Sequence, residues 1–158
     1  MAEGYHSRSA CRDDSRSLIP IIGLTGRPMP SDSRQDLQAI RDRLLALHKT
    51  LLDRERADYE RAHEPIDSPG TFLQLVIGHP QFEWLRQLSS LVVEIDEMLA
   101  PRSKAGAAEA AAIVNQIRRV LTRDEEGNKF QIKYRQAVQE APEVLTAHRE
   151  LTALLKRD

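Results

Sequence analysis

The strongest constraint on the fold is an aliphatic ladder that recurs every three or four residues between positions 33 and 62. This spacing places the ladder on one face of a single helix of about eight turns. The segment HEPIDSPG at 63–70, with two prolines and a glycine, then ends the helix. No segment of useful length alternates apolar and polar residues with the period of two that a half-buried strand shows. The chain is therefore expected to be all-α, with a first ladder of Leu37, Ile40, Leu44, Leu47 and Leu51.

Further helical patterns follow this break. The expected elements are a short helix over 71–77, long helices over 80–99 and 104–122, and a last long pattern that begins at Asn128. Pro142 lies inside the last pattern, so it either kinks one helix or begins a second one in essentially the same direction. About four long amphipathic helices with short connections, and one short extra helix, are typical of an up-and-down bundle.

Residues 1–30 differ in composition from the rest of the chain. They combine Ser, Arg, Gly and Pro without a helical or strand period, which is typical of a disordered arm. Met29 stands directly before PSDSRQ, a short lead into the first helix, and we consider it a natural start that would make 1–28 an over-extension. An ordinary flexible tail is the alternative. In both cases the bundle domain is expected over 31–158.

Composition excludes several classes of function. A chain of 158 residues is long enough to bury a core as one domain. Its net charge of −1 lacks the basic excess of a nucleic-acid binder, so no nucleic-acid partner is expected. No apolar stretch approaches the roughly 18–20 residues of a membrane span, so no membrane partner is expected either. The single cysteine, Cys11, allows no internal disulfide, which favours a cytoplasmic location.

The segment from Ile77 to Leu99 contains the only tryptophan of the chain, Trp84. A helical projection at 100° per residue places Trp84 within the apolar face, so we expect a packed core side chain. Phe82 and Val93 fall together on the otherwise polar side. They are candidate interaction residues, and they could receive the short 71–77 helix or a partner chain. The expected apolar face consists of Trp84, Leu85, Leu88, Leu91, Val92, Ile95, Met98 and Leu99.

The first helix carries polar groups where apolar ones are expected. Arg41, His48 and Glu55 are spaced by seven and form a row down the face that should point inward, with Tyr59 one turn further on. His148, near the edge of the last helical stripe, could reach the same interior. Such a cluster of His48, Glu55, Tyr59 and His148 is a candidate site for a metal or a small ligand. The alternative is a satisfied structural network, or an Arg and a Glu that reach solvent between helices.

Other motifs give little support to an enzyme. Glu60 and His63 have the i, i+3 spacing of di-iron bundle ligands, but such sites need a second pair of this kind, and the chain has none. GLTGRP at 23–28 lacks the spacing of a phosphate-binding loop. No serine or cysteine nucleophile has a recognisable setting. We therefore assign no catalytic residue and leave any cofactor open, and the sequence favours a protein that is not an enzyme.

One resemblance covers the middle of the chain, residues 63–99. This stretch is similar to small all-helical bacterial proteins described as conserved hypothetical, whose related segment has HGP, a Leu-rich stretch and FxWLRPLSxLIxxIDE. The chain departs from that pattern with Glu64 in place of the glycine and Gln87 in place of the proline. Those proteins have no established activity, so the resemblance implies a helical fold and no mechanism.

Two functions follow from these observations as expectations. The first is a non-enzymatic, cytosolic helical protein that acts by association, with itself as the partner, through Phe82, Val93 and any unmatched apolar face. The second is a bundle that binds a metal or a small ligand through its inward His, Glu and Tyr groups.

Overall fold

The computed structural model describes residues 29–122 and 127–156. Of the expected disordered arm over 1–30, residues 1–28 lie outside the described residues, whereas Met29 is partly buried against the core. The described part is all-helical, with six α-helices and one short 3-10 helix that precedes α3. No helix of this part is long and apolar enough to cross a membrane. The helices are α1 (Ser31–Ala62), α2 (Pro69–Gly78), α3 (Arg86–Leu99), α4 (Ala107–Val120), α5 (Lys129–Glu140) and α6 (Pro142–Leu155), and the 3-10 helix is Glu83–Leu85.

The first helix, α1, is the central element of the fold. It has 32 residues, which corresponds to a length of about 48 Å. The predicted ladder is buried, and Leu44, Leu47 and Leu51 are fully inaccessible to solvent. This ladder packs against α3 on one side and α6 on the other, and α4 contacts all three of these helices. The core therefore lies between α1, α3, α4 and α6, and α5 closes it with four buried side chains, whereas α2 has no buried residue. The core residues of α5 are Phe130, Tyr134, Ala137 and Val138.

Helix α6 runs antiparallel to α1, as two ion pairs indicate. Arg43 of α1 pairs with Glu150 within α6, at 2.9 Å. Arg54, further along α1, pairs with Glu140, which lies just before α6 begins. The partner number falls as the number on α1 rises, so the two chain directions are opposite.

The last pattern forms two helices rather than one, because Ala141 adopts an extended conformation between α5 and α6. Pro142 is the first residue of α6, where its missing amide hydrogen is not needed. The hydroxyl of Tyr134 lies 2.7 Å from Nδ1 of His148. In a continuous helix these residues would be about 21 Å apart. The alternative of a second helix is therefore confirmed, but its expected common direction with the first is wrong, since the chain turns sharply at Ala141.

The start of the third long helix also differs from the prediction. Residues 80–82 form a turn, and the 3-10 helix follows, so Pro80 is not the first helical residue. The buried face of α3 agrees with the predicted one, and Trp84 is 6% exposed. Phe82, however, is fully buried. A projection at 100° per residue does not apply to a turn and a 3-10 helix, and this is why Phe82 was wrongly placed beside Val93 on the polar side.

Candidate functional site

The polar row on α1 faces α3 and is matched there by polar groups. Arg41 Nε lies 2.7 Å from Asp96 Oδ1, and Arg41 Nη2 lies 3.1 Å from Asp96 Oδ2. His48 Nε2 lies 3.1 Å from Ser89 Oγ. The partners on α3 descend by seven positions as the residues on α1 rise by seven. The two helices therefore run antiparallel, and we call this line of contacts the α1–α3 seam.

Glu55 is the third member of the row and a buried charged residue, at 9% exposure. Trp84 Nε1 donates a hydrogen bond to Glu55 Oε1 across 3.1 Å. Lys133 Nζ lies 3.9 Å from the same oxygen and 5.6 Å from the centroid of the Trp84 ring. Burying a carboxylate is costly unless it is paired, and the indole and the ammonium provide that pairing.

Hydrogen bonds and burial along the seam shift the pKa values of Arg41, Asp96 and His48. The hydrogen bond from Arg41 holds the pKa of the Asp96 carboxyl below its usual 3.8, and the same bond raises the pKa of Arg41. Burial lowers the pKa of His48 below its usual 6.5, because desolvation disfavours the charged imidazolium. His48 is therefore a neutral side chain at neutral pH.

The four predicted ligand residues do not form a common site. His48 and Glu55 are separated by two helical turns, about 10 Å along α1. Tyr59 stacks on His63 instead, with ring centroids 4.1 Å apart, and His148 contacts Tyr134. Within residues 29–122 and 127–156, no group of three or more His, Cys, Asp or Glu side chains is placed to hold a metal ion. His48, whose ring nitrogen lies beside Ser89, fits the alternative of a satisfied structural network. Glu55 differs, because a pocket lies beside it.

The Glu60 and His63 pair has local structural partners. Glu60 Oε1 accepts hydrogen bonds from Arg56 Nε at 3.0 Å and from the Ile66 amide at 3.1 Å, which closes the loop after α1. The hydrogen bond from Arg56 lowers the pKa of Glu60. His63 Nδ1 lies 3.0 Å from the Tyr59 carbonyl, so this nitrogen carries the proton and donates. Both side chains therefore stabilise the end of α1 and the loop that follows it.

A polar pocket of about 250 Å³ lies between α1 and α5, beside Glu55. Arg54 and Asp58 are one turn apart on α1, and Lys133 and Gln136 are one turn apart on α5, so each helix presents a pair to the same space. We call this space the Glu55 pocket. Its polar lining consists of Arg54, Glu55, Asp58, Gln81, Lys133 and Gln136.

Most of this lining was missed at the level of sequence. Arg54 and Asp58 belong to a charged run that reads as a solvated face. Nothing in the spacing of α5 indicates that Lys133 approaches the far end of α1. The one signal was Glu55 itself, a carboxylate on a face of leucines.

Exposed apolar side chains concentrate on α2. None of its ten residues is charged and none is buried, and Leu73 and Ile77 are 58% and 63% exposed. The helix is held to the body through Phe72, whose ring meets Phe82 at 5.8 Å. Arg86 also donates a hydrogen bond to the Ile77 carbonyl at its end. Phe82 thus receives the short helix, which is one of the two roles considered for it.

Two further exposed apolar side chains lie along the seam. Leu45 lies four residues after Arg41 and three before His48, and it is 40% exposed. Val93, 54% exposed, stands in the mirrored position on α3, between Ser89 and Asp96. In antiparallel register the two residues therefore lie at nearly the same level along the seam. Together with Leu73 and Ile77 they define what we call the apolar strip.

These features were compared with known proteins. No protein-family model, no curated protein and no solved structure matches the chain.

Proposed function

We propose that this protein acts by association rather than by catalysis, and that it forms a homodimer through the apolar strip. The observation that carries the proposal is α2, an uncharged helix with Leu73 and Ile77 more than half exposed. The inner face of α2 is only partly buried, through Phe72, Leu75 and Val76. Helices of monomeric proteins normally keep apolar residues to the face that packs inward, so Leu73 and Ile77 on the outside form an unmatched surface.

A second copy of this chain is the partner that the charges favour. A two-fold dimer places the same patch on both sides of the interface, so charged residues at its centre would meet like charges. The apolar strip has no charge in α2 and two aliphatic residues, Leu45 and Val93, on the seam. The net charge of −1 also opposes self-association very little.

The size of the strip predicts a modest affinity. A helix of ten residues spans about 15 Å, so α2 alone is too small for a standard interface of about 1,600 Å². Extension over Leu45 and Val93 brings the area closer to that of a transient dimer. We therefore expect dissociation constants in the micromolar range.

The proposed scaffold is an up-and-down bundle of α1, α3, α4 and α6. Two observations support this arrangement: α3 and α6 run antiparallel to α1, and α4 contacts both of them. The proposed setting is the cytoplasm, as the lone cysteine suggests.

Sedimentation velocity over a range of protein concentrations tests the proposal. The wild-type protein should shift from monomer to dimer, and the double variant Leu73→Glu with Ile77→Glu should stay monomeric. Ile132→Glu is the matched control, because Ile132 is 45% exposed on α5, which packs on the α6 side of the molecule. A wild-type protein that is monomeric throughout would contradict self-association, and a double variant that still dimerises would contradict the placement of the interface on the apolar strip.

A further inference from the structure

The Glu55 pocket has unused hydrogen-bonding capacity on the acidic side. Both recorded contacts of the Glu55 carboxylate are to Oε1. No buried side-chain oxygen or nitrogen of the described residues lacks a partner, so Oε2 is open to the pocket rather than enclosed. Asp58 uses Oδ1 for Arg61, which leaves Oδ2 as a second acceptor. The pocket thus offers two carboxylate oxygens to a donor.

The opposite side of the pocket offers donors. Lys133 Nζ lies too far from Glu55 Oε1, at 3.9 Å, for a hydrogen bond, and it is held over the Trp84 ring instead. Its three N–H groups are therefore available to an acceptor. Arg54 uses Nη2 for Glu140 and has further N–H groups on the same guanidinium. The pocket thus also offers two cations to an anionic group.

These charges select for the kind of molecule that can bind. The two cations and two carboxylates cancel, so a simple anion meets as much repulsion as attraction, and so does a simple cation. A molecule with both an ammonium and a carboxylate satisfies both sides at once. The volume of about 250 Å³ admits only a small molecule.

We propose that the Glu55 pocket binds a small zwitterion with neighbouring ammonium and carboxylate groups, the chemistry of a free α-amino acid. Glu55 and Asp58 accept from the ammonium, and Lys133 and Arg54 donate to the carboxylate. This site lies between α1 and α5, whereas the residues of the apolar strip lie on α2 and along the α1–α3 seam, and none of them lines the pocket. It does not depend on dimer formation.

Trp84 provides a direct readout, because it is the only tryptophan and its Nε1–H is bonded to Glu55. The single indole N–H signal in a ¹⁵N–¹H correlation spectrum would be followed during titration of the intact chain. The probes are L-alanine, L-serine and L-glutamine, each up to about 10 mM, which detects millimolar affinity. Propionate and ethylamine are the controls, because each keeps only one of the two charges of alanine.

We expect at least one amino acid to shift the indole signal in a saturable manner, and the single-charge compounds to bind at least tenfold more weakly. Lys133→Gln and Glu55→Gln should each weaken binding by about tenfold, and Glu55→Gln keeps an oxygen for Trp84. Lys129→Gln, an exposed neighbour on α5, should have no effect. The proposal is overturned if no amino acid gives a saturable shift, or if propionate or ethylamine binds as tightly.

Discussion

Trp84 donates its indole hydrogen to the carboxylate of Glu55 across 3.1 Å, and this contact joins the 3-10 helix before α3 to the second half of α1. Both residues are buried. The bond explains how a glutamate occupies a position on a leucine face and why the single tryptophan lies there. It also provides the first prediction.

Replacing Glu55 by alanine should destabilise the fold more than replacing it by glutamine. Glutamine retains an oxygen for Trp84 Nε1, whereas alanine leaves a buried donor without its acceptor. We expect a difference of about 1–3 kcal/mol in the free energy of unfolding. Urea denaturation followed by circular dichroism measures it. If the two variants lose the same stability, the contribution of Glu55 comes from its charge near Lys133 and not from the indole bond.

Stability should depend on the protonation of His48. Burial lowers its pKa in the folded chain below 6.5, so the unfolded chain binds the proton more readily. The contribution is complete above pH 6.5 and is lost as the pH falls through the lower, folded pKa. Unfolding free energies between about pH 7.5 and 5.5 should therefore decline in the wild type.

The variant His48→Gln should remove that part of the decline while keeping a polar group for Ser89. His63→Gln is the matched control, because His63 is an exposed histidine at the end of α1. It should leave the His48 contribution in place. Parallel pH profiles for the wild type and His48→Gln would contradict the assignment.

Truncation of Phe82 should lower the stability of the fold strongly, whereas truncation of Val93 should have little effect. Phe82→Ala removes a fully buried ring that contacts Phe72, and we expect a loss of about 3–5 kcal/mol. Val93→Ala should change monomer stability by less than about 0.5 kcal/mol, because Val93 is more than half exposed. Thermal unfolding of both variants at low protein concentration is the measurement. Equal losses of stability in the two variants would instead support a shared surface face for Phe82 and Val93.

The Arg41–Asp96 pair should stabilise the seam in a salt-dependent way. The side chains are 27% and 46% exposed, so added salt screens their attraction. Asp96→Asn should lower stability at low ionic strength, and the difference from the wild type should shrink as salt is added. The pKa of Asp96 lies below 3.8 because of Arg41, so the wild type should lose this contribution as the pH falls below 3.8 through the folded value.

Asp53→Asn is the control for that experiment. Asp53 also pairs with a cation, Lys49, but both side chains are more than half exposed and lie on one helix. Its effect should be smaller than that of Asp96→Asn at every salt concentration. The reverse order would show that the seam pair adds nothing beyond a surface contact.

The features that could be predicted from the sequence are those that depend on the periodicity of residues within one helix. The ladder of α1 and the inward position of Trp84 follow from helical spacing, because burial of one stripe is required wherever such a helix packs. The polar row was also recognised, and its spacing of seven is the feature that α3 matches. Amino-acid spacing within one helix was sufficient for these predictions.

The features that the sequence did not predict depend on how helices far apart in the chain pack against each other. The sharp turn at Ala141 brings Tyr134 to His148, and no pattern within α5 or α6 encodes the angle between them. Lys133 reaches Glu55 only because α5 folds beside α1. The burial of Phe82 depends on a 3-10 helix in place of the first α-helical turn, a choice that tertiary packing makes.

The way α2 is attached has a consequence for its dynamics. Phe72 packs on Phe82 and lies under Arg56, Arg86 bonds to the end of the helix, and Leu75 and Val76 are partly buried, but no residue of α2 is fully buried. Opening α2 therefore exposes little apolar area to water, so it costs far less free energy than unfolding the core. In the monomer its amide hydrogens should exchange with deuterated solvent long before those of Leu44 or Leu47. Slowed exchange of α2 at high protein concentration would then locate the interface without any substitution.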